Sequence, residues 1–177
     1  MKKKLIQSNL NYTASVEELI RLLEQYPDEI LNRTPANGGW SAIQVAHHLI
    51  LSEEMSLRYV LKKMSFESKY PLTGFKEKGR SFLLWLFLIL PFKFKAPPKI
   101  GGDPEALPRF STPQETFGRW RAIRSQWTDF VQNMPEDIAR RTVYKHPRSG
   151  KIGWLHMVLF FQTHLSRHRK QIIKTLK

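Results

Sequence analysis

The chain has 177 residues, of which 41% are hydrophobic and 25% charged; this is the composition of one folded domain, without a repeat or low-complexity tract that would indicate a rod, a coiled-coil array or a disordered tail. Lys and Arg number 29 against 15 Asp and Glu, giving a net charge of +14. No cysteine is present, which excludes disulfides, thiolate zinc fingers, iron–sulfur clusters and a cysteine nucleophile, so His, Asp or Glu must hold any metal.

In chain order, Met1-Lys2-Lys3-Lys4 leads into an apolar stretch too short for a secretory signal, and the expected location is the cytoplasm. Ser15-Val16-Glu17-Glu18 has a capping-box pattern, which predicts a first helix starting near Thr13 or Ser15 and leaving at Pro27. The turn-rich Pro35-Ala36-Asn37-Gly38-Gly39 precedes a second helix, from Ser41 to about Met64. Thr112-Pro113-Gln114-Glu115 opens a third, with proline at the position where a missing N–H costs nothing, and it ends near Pro135. A fourth runs from about Trp154 to Leu176. No segment alternates with period two, so residues 1–177 read as a single all-α four-helix-bundle domain. Between the second and third helices, Ser65 to Ser111 is too long to be structureless and predicts short elements.

Of the six histidines, His164 and His168 stand four residues apart, about 400° around a helix, so both rings leave one face a turn apart. Met157, Phe161 and Gln171 continue that stripe. Buried imidazoles need hydrogen-bond partners or a metal, and zinc-like ions take a third protein ligand. The second helix offers His47 and His48, about 100° apart. His48 shares a face with Gln44, Val45, Ser52, Met55 and Tyr59; His47 sits with Ile43, Ile50, Leu51 and Glu54. Periodicity leaves the choice between them open. His146, before Pro147 in a turn, reads as exposed, and Glu53 lies about 140° from His48 around the helix.

Three motifs in order resemble the DinB/YfiT-like superfamily over nearly the whole chain. They are Gly38-Gly39-Trp40-Ser41 leading to His48-Leu49, His146-Pro147 with Gly150, and His164-x-x-Arg167-His168-x-x-Gln171-Ile172. The resemblance implies an up-and-down four-helix bundle with one divalent metal ion, zinc or nickel, on His48, His164 and His168. His47 then occupies a neighbouring position outside the ligand set. Gln44 and Gln171 are candidates to flank the ligands, and Arg167 to meet an anionic substrate. Proteins resembling this chain include S-transferases that use bacillithiol or mycothiol. The expectation is a metal-dependent transferase or hydrolase that activates a small thiol or water, in a homodimer. The alternative is a non-catalytic metal-binding or membrane-surface protein.

The basic charge invites a nucleic-acid reading, since ten Lys or Arg and no acid lie between Arg140 and Lys177. No recognised nucleic-acid motif accompanies them, and solvated helix faces are the preferred account. The apolar run Phe82 to Phe92, bracketed by Lys76, Lys78, Arg80, Lys93 and Lys95, suits a pocket lid or dimer contact. Interfacial insertion into a membrane is the less favoured use.

Overall fold

In the computed structural model, the described residues are 1–36, 38–66, 69–90, 98, 101–103 and 106–176. Four long helices carry the fold: α1 (Lys2–Leu23), α3 (Ala42–Phe66), α5 (Pro113–Asn133) and α7 (Trp154–Thr175). Shorter elements join them: α2 (Asp28–Asn32), α4 (Phe75–Ile89), α6 (Glu136–Ala139) and a hairpin of β1 (Lys145–His146) and β2 (Gly150–Lys151). The all-α four-helix bundle expected from the sequence is the architecture found, with α4 inside the long connection between the second and third long helices.

Sequence and structure differ most at the first helix. It begins at Lys2, more than ten residues before the Ser15 pattern. Leu5, Asn9, Tyr12, Val16, Leu19 and Leu23 form a continuous buried stripe at three- and four-residue spacing. Inside that helix the Ser15 hydroxyl donates to the Asn11 carbonyl instead of capping an end. The other starts follow their chemistry. Ser41 and Gln44 exchange a reciprocal pair, Ser41 N to Gln44 Oε1 at 3.0 Å and Gln44 N to Ser41 Oγ at 3.2 Å. Thr112 Oγ1 accepts from Glu115 N ahead of Pro113. The two-residue strands of the hairpin are too short to show an alternation in sequence.

Side-chain contacts fix the direction of each helix. Asn9 meets Thr128 and Glu17 meets Arg121, so α1 and α5 are antiparallel. The Ser8 carbonyl meets Gln162 and Glu18 meets Arg169, so α1 and α7 are parallel. His47 meets Thr116 while Glu53 meets Trp120 and Arg124, so α3 and α5 are also parallel. The helices therefore run up, down, down, up, where the up-and-down description implies strict alternation. The physical reason lies in α4. The chain leaves α3 and pairs Leu72 with Arg141. Then α4 climbs beside α7, from Lys78 near His156 to Leu88 at Arg167. This return leg lets α5 start at the same end as α3.

The core contains Phe117, Trp120, Trp127, Trp154 and Phe161, all fully buried. Within it sits a buried ion pair. Arg124 Nη1 donates to Glu53 Oε2 at 2.6 Å, and Tyr12 Oη and Trp120 Nε1 donate to Glu53 Oε1 at 2.7 and 3.0 Å. Arg124 also donates to Asn9 Oδ1 at 2.6 Å and covers the Tyr12 ring at 4.4 Å. Three helices thus share one polar knot, and its groups are satisfied by each other. Removing one partner strands the other charge in the core. Glu53→Ala should lower unfolding stability by about 3–5 kcal/mol, read from urea denaturation; an unchanged midpoint would show that the knot contributes nothing.

Candidate metal centre

His48 projects from α3 toward α7, where His164 and His168 stand one turn apart. The three rings offer one ligand nitrogen each, and these atoms lie within 4.8 Å of one another. His48 Nε2 and His164 Nε2 are 3.1 Å apart. His48 and His164 are buried and His168 is half-buried. Trp40 packs on His48 with ring centroids 5.1 Å apart. Gly101, at φ +112°, approaches so closely that a Cβ there would fall 2.5 Å from Trp40 Cζ2. Only glycine fits that loop against the indole that backs His48.

The donor set suits a divalent ion. Two nitrogens bound tetrahedrally at about 2.0–2.1 Å from one ion stand roughly 3.3 Å apart, near the separation found. Burial pushes the His164 imidazole well below its ordinary range, helped by His168 and His48. Burial and the neighbouring His48 bring His168 down to about 4. Neutral rings at physiological pH are the ligating form. His168 Nδ1 lies 2.9 Å from Gln171 Oε1. An amide oxygen can only accept, so this contact puts the proton on Nδ1 and leaves the Nε2 lone pair for a metal.

The other candidate residues make the following contacts. Gln44 closes the N-terminal cap of α3. Arg167 Nη1 donates to the carbonyls of Leu88 and Leu90, both at 2.9 Å, which ties the end of α4 to α7. These two bonds use one nitrogen of the guanidinium, on a half-buried side chain. His47 turns to α5, with Nε2 3.2 Å from Thr116 Oγ1. Glu53 faces the ion pair on the other side of α3. His146, expected to be exposed, is buried: its Nδ1 accepts from the amides of Arg148 and Ser149, and its ring meets Phe160 at 4.5 Å. The hairpin folds over it, which its turn-like sequence does not reveal.

Sequence reasoning missed Phe160. Its ring stacks on His164 at 5.2 Å and 17° and also lines a groove of about 340 Å³ between α4 and α7. Phe82, Leu84, Trp85, His156 and Leu159 line the same groove. Phe160 stands four residues before His164, and that spacing was the available signal.

An all-α bundle that gathers three imidazoles from two helices defines the class of this protein. The chain belongs to the DinB superfamily, which matches residues 11–172. It is also similar to a solved structure, YfiT from Bacillus subtilis, described as a probable metal-dependent hydrolase with an unusual four-helix bundle topology. That likeness has a TM-score of 0.59 at 20% identity and covers 98% of this chain and 85% of the other. No curated protein matches the sequence.

Three histidines outside the triad set a pH dependence, among them His156, which burial and Lys78 push below its ordinary range. Burial holds both His47 and His146 at about 4, with smaller contributions from Arg119 and Arg148 respectively. An unfolded histidine titrates near 6.5, so between these values the unfolded chain binds more protons than the folded one. Stability should be fully present above about pH 6.5 and fall as the pH drops toward about 4. Thermal melts of the metal-free protein across this range check the sign; a melting temperature that holds or rises on acidification would contradict it.

Proposed function

We propose that the protein binds one divalent metal ion, zinc or nickel, through His48, His164 and His168. We further propose that it uses the ion in transfer or hydrolysis, with a small thiol or water as the nucleophile. The observation that carries this reading is the convergence of three ligand nitrogens within 4.8 Å in a largely buried site. Imidazole donors suit these ions, and three neutral ligands leave the ion's charge uncompensated and a coordination position open. When bound, such an ion lowers the pKa of a ligated thiol or water toward neutrality.

The chain's own residues then have defined tasks. Gln171 holds the His168 tautomer, and Trp40 backs His48 against the bundle. Phe160 connects the triad to the apolar groove, where the nonpolar part of a substrate would lie. Glu53, engaged by Arg124, Tyr12 and Trp120, has no part in proton transfer at this site. A nucleophile acidified by the ion itself fits that arrangement. The described relative's hydrolase label and the triad both support metal dependence, and the thiol is the finer part of the proposal.

Ala at His48, His164 or His168 should remove bound metal, measured as metal per chain after purification without added ion, while His47→Ala retains it. Gln171→Ala should keep the ligands and weaken affinity by about 10–100-fold. Metal lost in His47→Ala but kept in His48→Ala would shift the site by one residue. Metal kept in all three triad variants would remove the site.

A further inference from the structure

We propose that the outer face of α4 is a membrane-surface contact, docking on a bilayer that carries anionic lipid head groups. Helix α4 buries only Leu84 and packs that side on α7. Five large apolar side chains of its second half stay exposed, Phe82 at 59%, Leu83 53%, Trp85 45%, Phe87 49% and Ile89 50%, with Phe82 and Trp85 at the rim of the groove. They occupy the last two turns of the helix, and Phe82 and Trp85 pack together at 5.7 Å. The basic residues come earlier, Lys76, Lys78 and Arg80, all exposed. From Arg80 to Ile89 the helix rises about 14 Å, so its charged and apolar parts occupy different depths when its end tilts into a surface. A tryptophan near that boundary suits the interface between head groups and acyl chains.

Charge decides the occupant. The described residues 69–90 contain four Lys or Arg, Lys69, Lys76, Lys78 and Arg80, and a single acid, Glu77. That carboxylate is turned back onto the helix start, accepting from Gly74 N at 2.9 Å. Arg80 lies beside Gly150 of the hairpin, whose segment adds Lys145 and Lys151, both exposed. A second copy would bring another chain of net charge +14 against this basic face, whereas anionic lipid complements it. No helix among the described residues is long and apolar enough to cross a membrane, so the contact is peripheral. Pro91, Phe92, Lys93 and Lys95, which complete the run in sequence, lie outside the described residues.

Vesicle flotation tests the proposal with the full chain. The protein should float with phosphatidylglycerol-containing vesicles, stay behind with pure phosphatidylcholine, and lose binding as salt is raised. Leu83→Glu with Ile89→Glu should cut partitioning by about ten-fold or more at an unchanged melting temperature. If that variant fails to fold, brominated lipid supplies the reading: it should quench wild-type fluorescence more than that of Trp85→Phe. No flotation, or flotation and quenching indifferent to these substitutions, would overturn the proposal. A dimer that Leu83→Glu dissolves, with no vesicle binding, would assign the face to a second copy instead.

Discussion

The rotation of α3 about its own axis is the constraint on which the rest of the structure depends. This helix lies between α5 and α7 and carries an essential polar group for each side. Glu53 enters the core between α1 and α5, where Arg124, Tyr12 and Trp120 satisfy its carboxylate. His48, five residues earlier and about 140° around the helix, then points at α7. A small rotation would unpair a buried charge, an outcome costing several kcal/mol, and would carry His48 away from His164. The ion pair is therefore more than a source of stability. It sets the aim of the imidazole on the opposite flank.

Much of this was legible in the sequence where chemistry is local. The Ser41–Gln44 box and the Thr112–Pro113 start mark helix ends because capping is decided within four residues. His164 and His168 declare a common face by spacing alone. The direction of each helix was not legible, since it depends on where α4 leads the chain. Nor was the start of α1, because Ser15-x-x-Glu18 looks the same inside a helix as at its end. His146 shows the same limit: its burial comes from Phe160 and from the two amides of its own turn, and the three-dimensional closure of that turn has no composition signal.

Helix α4 links the two ends of the account. Its inner side borders the groove that Phe160 shares with the triad, and Arg167, next to His168 in sequence, clamps its last carbonyls. Its exposed apolar side chains, of which Phe82 and Trp85 also rim that groove, form the face assigned above to a lipid surface. A displacement of α4 would therefore be felt in the groove and, through Arg167, on the turn of α7 that bears His168. Substrate access and surface docking would share one element.

The central claim is that three imidazoles form a metal site, and X-ray absorption at the metal edge of zinc-loaded protein tests it most directly. The account predicts one zinc per chain with three histidine nitrogens at about 2.0–2.1 Å and a remaining position filled by a lighter oxygen donor or an added thiol. A spectrum showing an oxygen-only shell without imidazole scattering would contradict it.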